Sequence, residues 1–353
     1  MDSISIPLWL FVTGSLCILI MGIELIIVIW VWIKGEGDMT LFKRYRFNSK
    51  PEKFMSKEQL AQREIVNQKI KRGEYIFEYL TTCPLCGFSQ SELIAEKDRY
   101  GMNVKTVICL NCGLLFQNPR MNEASSNKFY AEDYRILYAS HSTIESFFNT
   151  QVSLGRRRFE FLSQYFIKDY RHILDFGCGA GGNLVPFIEN KWQGQGYDMY
   201  KPYLDCGRQH GLNVSSDKPQ GKFDVILLND VLEHFTDIQK ELSNIKTLCH
   251  ADTLIYVECP GLKSIWESDV PNLLRDIQLP HNYYFDKKLL MAMMQKHGFK
   301  ALYCDEVVRG VFTLGESDTI NTKGYYADML SYLTEVEKNW QKNAVRRFFK
   351  IKK

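Results

Sequence analysis

The sequence has almost no excess of either charge: 44 Lys and Arg stand against 41 Asp and Glu in 353 residues, a formal net charge of +3. A chain that binds nucleic acid is expected to carry a broad basic face, so composition argues against such a partner and leaves charge to be read segment by segment. Proline is sparse, with ten residues, and neither an internal repeat nor a low-complexity tract is present. With 45% hydrophobic and 24% charged residues, disorder is not the default, and the length suits one large domain or two smaller ones. A disulfide framework is missing too. Cys17, Cys178, Cys206, Cys249, Cys259 and Cys304 are scattered among apolar neighbours, the pattern of reduced, buried thiols in a reducing compartment.

One long hydrophobic run is present. Residues 6–33 are apolar except for Glu24 and exceed the roughly 20 residues a helix needs to cross hydrocarbon. The start, Met1-Asp2-Ser3, lacks the basic region of a secretory signal, and Trp30-Val31-Trp32-Ile33 lacks a small-residue cleavage site, so residues 1–33 are expected to stay as a single-pass anchor. Lys34, Lys43, Arg44, Arg46, Lys50 and Lys53 follow, which puts the N-terminus outside and the rest of the chain on the cytoplasmic face of the inner membrane. Glu24 reads as a partner-helix contact or as a protonated or snorkelling side chain. The cluster 43–46 reads as a headgroup contact or as a topology signal alone.

Residues 34–80 form a basic, partly helical linker, with residues 56–79 as its helical connector, and residues 81–120 are a Cys-rich module. From residue 172 short apolar runs alternate with helical patterns: H-I-L-D-F-G, then G-Q-G-Y-D-M, then residues 223–230 and 253–260. Alternation of this kind predicts an α/β fold with a mainly parallel, doubly wound sheet. Runs 299–306 and 311–316 are too close for a crossover and must form an antiparallel hairpin. Residues 321–353 read as a basic C-terminal helix around Phe348 and Phe349, solvated or touching a membrane surface.

Two C-x-x-C-G turns, Cys83 with Cys86 and Cys109 with Cys112, bracket residues 87–108. Each turn can set two thiolates on one metal, the following glycine lets the backbone curl around the sulfurs, and four thiolates complete the tetrahedron that Zn²⁺ prefers. No position is left for water, so the expected site is structural; redox or iron–sulfur chemistry is the rival reading. Between the pairs, Lys97, Arg99 and Lys105 are offset by Glu92, Glu96 and Asp98, so no basic face marks the module as a nucleic-acid reader.

The run D-F-G-C-G-A-G-G, from Asp175 to Gly182, turns from a strand into a helix through glycines that bring backbone N–H groups close to a ligand. Gly177, Gly179 and Gly181 have the spacing of an S-adenosylmethionine loop, but Gly177, Gly179 and Gly182 also satisfy the dinucleotide fingerprint G-x-G-x-x-G. Asp198 can accept from the ribose hydroxyls of either cofactor. Asp175 favours the first, because its carboxylate suits an ammonium and repels a pyrophosphate.

Over residues 81–316 the chain resembles the S-adenosylmethionine-dependent methyltransferases that carry an N-terminal zinc-binding module, many of them acting in sugar or surface-glycan biosynthesis. C-L-N-C-G-L-L-F-Q-N-P-R, F-Y-A-E-D-Y-R, I-L-D-F-G-C-G-A-G, N-D-V-L-E-H-F and P-H-N-Y-Y-F-D occur here in that family's order. The resemblance implies a Rossmann-like, seven-stranded methyltransferase sheet over residues 121–320. It implies also that Asp175, Gly177, Gly179 and Gly181 surround the methionine part of the cofactor, Asp198 holds the ribose, and Asn229 and Asp230 border the methyl group.

A sulfonium methyl is already electrophilic, so the protein has to align a nucleophile and remove its proton. His234 and His281 are the base candidates because imidazole titrates near neutral pH, although either can serve a structural role. Tyr283, Tyr284, Glu233 and Asp230 come second. Similar sugar C-methyltransferases carry a Glu-His pair where this chain has Pro280-His281, so methylation of oxygen or nitrogen is expected rather than of carbon. The anchor suits a lipid-linked or small-molecule sugar acceptor. RNA or protein methylation and a non-catalytic scaffold are the alternatives, and no signal for an oligomeric state is present.

Overall fold

The computed structural model describes residues 40, 42–138, 143–167, 171–267 and 271–350. The expected anchor, with Glu24, lies outside these residues, and among them no helix is long and apolar enough to cross a membrane.

The N-terminal part begins with α1 (Lys57–Lys71). Its Ser56 hydroxyl accepts from the Gln59 amide while the Gln59 side chain accepts from the Ser56 amide, a reciprocal cap that fixes the helix start. Five short strands follow: β1 (Phe77–Glu78), β2 (Ser91–Lys97), β3 (Asn103–Cys109), β4 (Leu115–Gln117) and β5 (Arg120–Met121). Then come helices α2 (Glu123–Glu132), α3 (Tyr134–Tyr138) and α4 (Ile144–Ser163).

From His172 strands and helices alternate: β6 (His172–Phe176), α5 (Val185–Glu189), β7 (Gln193–Tyr197), α6 (Lys201–Gln209), β8 (Val214–Ser215), β9 (Phe223–Asn229), α7 (Ile238–Thr247) and β10 (Cys249–Glu258). The chain continues through β11 (Tyr283–Tyr284), α8 (Lys287–Lys296), β12 (Phe299–Cys304), β13 (Arg309–Leu314) and α9 (Tyr326–Lys350). Seven of these strands form one sheet in the order β12-β13-β10-β9-β6-β7-β8. Strands β8, β7, β6, β9 and β10 run parallel. The expected late hairpin is present, and β13 inserts between β12 and β10, antiparallel to both. In β9 the uninterrupted apolar run Val225-Ile226-Leu227-Leu228 is fully buried, as a central parallel strand covered on both faces requires. The winding reverses between β6 and β9, which opens a crevice at their carboxyl ends.

The Cys-bearing strands are built into this body. Strands β2, β3 and β4 form an antiparallel meander, and β11 pairs with β4 to complete a four-stranded sheet. Helix α9 buries Met329, Leu333 and Val336, while the Tyr326 amide donates to Asn111 O and its hydroxyl to Glu92. Its first turns therefore dock on the Cys-bearing segment.

Part of the expected headgroup cluster is engaged internally. Arg44 donates to Glu337, Glu52 and Asn272, and its guanidinium lies 3.8 Å from the Trp340 ring centroid. The neighbouring Tyr45 is 1% exposed. Arg44 thus serves packing, because a fork of donors facing two carboxylates and an indole gains more there than at a wet surface.

Candidate active site

Strand β6 delivers Asp175 and Phe176 to the crevice, and the chain turns at Gly177, Gly179 and Gly181, all at positive φ (78°, 57° and 81°). A Cβ on Gly177 would stand 2.5 Å from the Val231 side chain, so both the backbone angle and the space demand glycine. The loop's N–H groups are directed inward. Gly177 and Cys178 donate to Tyr197 O, Gly179 to Asp198 Oδ2, Ala180 and Gly182 to Gln151 Oε1, and Gly181 to Cys178 O. This corrects the expectation that these amides meet the ligand. It also separates the two cofactor readings, because a pyrophosphate needs donors that this loop has already committed to protein acceptors.

At the end of β6, Asp175 is fully buried; Oδ2 accepts from Asn183 Nδ2 at 3.2 Å, and Oδ1 has no partner. Burial pushes its carboxyl up to about 6. Asn183 is held by Arg158, which also binds Glu258 at 2.8 Å. Neither the oxygen nor the nitrogen of the Asn229 side chain has a partner. Buried polar groups are normally satisfied, so an unpartnered carboxylate oxygen and an unpartnered amide at the ends of β6 and β9 fit a ligand carrying an ammonium and a carboxylate. Just after β7, Asp198 accepts from Gly179 N at 2.9 Å and Tyr200 N at 2.8 Å, and Arg135 Nη2 stands 3.5 Å from Oδ2.

Asn183, Asn229 and Asp198 open on a cleft of about 510 Å³, the size of a small-molecule site, whereas Asp175, Gly179 and Gly181 are not among the residues that line it. The lining includes Gly177, Asp198, Asn229 and Asp230 together with Tyr130, Tyr134, Tyr138, Glu233, His234 and His281. Asp230 adopts a positive φ of 52°, a conformation that aims a residue at a site at a cost in backbone strain. The rings of His234 and His281 lie 4.6 Å apart. Burial lowers His234 to about 4 and His281 well below its ordinary value. Both are neutral at neutral pH, so the reason for choosing them as bases, titration near pH 7, does not hold in this fold. Tyr283 and Tyr284 are not among the residues lining the cleft. The Tyr283 hydroxyl accepts from Arg120 and donates to Thr236 O, and the Tyr284 hydroxyl accepts from Gln278 N, because β11 is a strand of the Cys-bearing sheet.

Residues 149–303 match the family model described as a methyltransferase domain. The chain carries a methyltransferase domain. Among solved structures, it is similar to the magnesium protoporphyrin IX methyltransferase of Synechocystis PCC 6803 with bound SAH, at 12% identity and a TM-score of 0.40 over 56% of this chain and 100% of that one. It is similar also to the CcbJ methyltransferase of Streptomyces caelestis, at 12% identity and a TM-score of 0.40 over 53% and 98% of the two chains. A SAM-dependent methyltransferase of Archaeoglobus fulgidus is 21% identical, with a TM-score of 0.37 over 46% and 76%. No curated protein matches the chain.

Several residues that shape the methyltransferase cleft carry no sequence signal of their own. Gln151 on α4 reaches the glycine loop with both ends of its amide, accepting from two N–H groups and donating to Cys178 O at 2.8 Å. Arg135 stacks on Tyr134 and Tyr203 while facing Asp198. Tyr130, Tyr134 and Tyr138 recur every four residues in the stretch that contains F-Y-A-E-D-Y-R, and that spacing could have revealed them as one face. Tyr138 also donates to the buried Asp98 at 2.6 Å, tying the cleft wall to the β2–β3 turn.

In the Cys-bearing segment the four sulfurs lie within 4.8 Å of one another, with Cys83 to Cys112 and Cys86 to Cys109 at 3.5 Å. All four are free thiols. A metal with bonds of about 2.3 Å to four tetrahedral sulfurs sets them roughly 3.8 Å apart, so the donor set and spacing fit Zn²⁺. Gly87 and Gly113, each following the second cysteine of its pair, take positive φ (74° and 72°), and their amides donate to Cys83 O and Cys109 O. The turns have the shape that the two motifs predicted.

Proposed function

We propose that this methyltransferase moves a methyl group from S-adenosylmethionine to an oxygen or nitrogen of a small hydroxylated acceptor of the sugar or glycan class, at a membrane to which residues 1–33 tether it. The observation that carries the reading is the single cleft that joins the cofactor residues Asp198, Asn229 and Asp230 to a wall of Tyr130, Tyr134 and Tyr138. Aromatic faces with polar tips suit the apolar face and the hydroxyls of a sugar ring. In this reading Asp175 and Asn229 hold the amino-acid end of the cofactor and Asp198 its ribose. Asp230 borders the methyl group, and His234 and His281 line the acceptor's approach. The cluster of four cysteines holds a structural Zn²⁺, which would fix the sheet to which β11 belongs.

The test is a pair of titrations on the full chain. S-adenosylhomocysteine should bind, NAD should not compete, and radiolabelled methyl should pass to a soluble nucleotide sugar or to a lipid-linked saccharide. Binding of NAD in preference, or transfer confined to RNA or protein, would overturn the reading.

A further inference from the structure

Neither carboxylate oxygen of Glu233 has a hydrogen-bond partner, although the residue is 2% exposed and borders the cleft. The donors that act on it are its own backbone N–H and the Cys259 thiol, a weak one. A carboxylate kept for structural reasons would be satisfied, because leaving it bare in a buried site is costly. Two imidazoles stand with it, and the ligand atoms of Glu233, His234 and His281 all lie within 4.8 Å of one another.

The surroundings of the trio are organised as a metal site requires. His234 Nδ1 lies 2.5 Å from the Tyr130 hydroxyl, which can donate or accept, and 3.0 Å from Pro280 O, which can only accept; with the proton on Nδ1 both oxygens accept it and Nε2 presents its lone pair, 3.7 Å from Glu233 Oε1. A ring N–H given to a backbone carbonyl is the usual orientation of a metal-binding histidine. The two segments that supply the trio are braced together: Asn282 N donates to Glu233 O at 2.7 Å, and Asn282 Nδ2 to His234 O at 3.0 Å. Bonds of about 2.1 Å to a first-row cation set donors roughly 3 Å apart on one face, so side chains whose ligand atoms now lie within 4.8 Å of one another would draw together around the ion.

We propose that Glu233, His234 and His281 hold a divalent cation of the Mn²⁺, Fe²⁺ or Zn²⁺ class on the acceptor side of the cleft, where it binds an acceptor hydroxyl. Two imidazoles and one carboxylate leave positions open for oxygen ligands, unlike the four cysteines. The inference rests on the methyltransferase reading and narrows it to oxygen acceptors. The cation lowers the pKa of the bound hydroxyl, whose proton leaves to water in the cleft. The oxygen lone pair then forms the C–O bond as the carbon–sulfonium bond breaks, leaving a neutral thioether.

The test uses Mn²⁺, which thiolates hold poorly. The full chain is dialysed against citrate so that the cysteine site keeps its metal, and Mn²⁺ binding is followed by the loss of the free-ion paramagnetic resonance signal. One Mn²⁺ per chain is expected, with binding weakened at least tenfold in Glu233→Gln and in His281→Ala. Mn²⁺ should raise the melting temperature of the parent and leave that of Glu233→Gln unchanged, a comparison that holds even if the histidine variant folds poorly. No bound Mn²⁺, or equal binding by parent and variants, overturns the proposal. Because neither cofactor nor acceptor is in the sample, that failure is distinct from failure to bind S-adenosylhomocysteine, which would instead remove the methyltransferase reading.

Discussion

Gln151→Met is the perturbation that most directly tests how the glycine loop is held. The substitution keeps the length of the side chain and removes one acceptor and one donor. The Ala180 amide, at 3.1 Å, loses its partner; the Gly182 amide, at 3.4 Å, loses a weaker one; and Cys178 O loses a donor at 2.8 Å. Gln151 is buried, so little water is available to replace them. With about 1–3 kcal/mol for each buried group left unsatisfied, and the long contact at the low end, the expected destabilisation is about 3 kcal/mol. Part of it should appear as loosening of the loop, weakening S-adenosylhomocysteine by about tenfold to a hundredfold, or roughly 1.4–2.8 kcal/mol. Urea unfolding and calorimetric titration of parent and variant measure the two quantities. A change below about 0.5 kcal/mol together with unaltered affinity would refute the assignment of the loop's amides to Gln151.

Asp175→Asn should show a trade of stability against binding. The folded pKa of about 6 stands above the ordinary carboxylate value, so the protonated form is favoured on folding; its stabilisation is present in acid and is lost as pH rises through about 6. At pH 7 the variant should be more stable by up to about 3 kcal/mol, with the gain gone below about pH 4, while cofactor affinity falls. A parent as stable as the variant at pH 7 would contradict this. Asp198→Asn places an amide against the Gly179 N–H and should weaken S-adenosylhomocysteine about tenfold by calorimetry. Replacing Cys109 with Ser should reduce zinc content by mass spectrometry and lower the melting temperature of the whole protein in one transition; an unchanged transition would separate the cysteine cluster from the fold. A chain starting at Ser56 should be less stable to urea than one starting at Thr40, because it loses buried Tyr45 and the contacts of Arg44.

The parts of this site that were legible in the sequence are those set by local rules. Glycines forced by positive φ, a strand long enough to be buried on both faces, and paired C-x-x-C turns each leave a pattern within a few residues. The late hairpin was readable because two strands so close in sequence have one way to pair. What the sequence did not disclose depends on long-range contact. Arg44 reads as one of a row of basic residues after a hydrophobic run, and only Glu337 and Trp340, far away in sequence, give it a buried role. Gln151 is one polar residue on a helix with a mixed face, and its meaning comes from the loop that folds over it. His234 and His281 were read as candidate bases; the structure places both at the cleft, but their neutral state follows from burial, which residue type alone does not determine.

The pairing of β11 with β4 bears on how this protein can be shortened. Residues 149–303 carry the family match, yet they contain only one strand of the four-stranded sheet. A chain cut to that span would leave Tyr283 and Tyr284 as an apolar edge without the β4 neighbour, beginning two residues after His281. Such an edge invites association with other chains, so an excised domain is expected to aggregate and to misplace that histidine before any chemistry is measured. The cysteine-bearing sheet is in this sense the mould in which one wall of the cleft is cast.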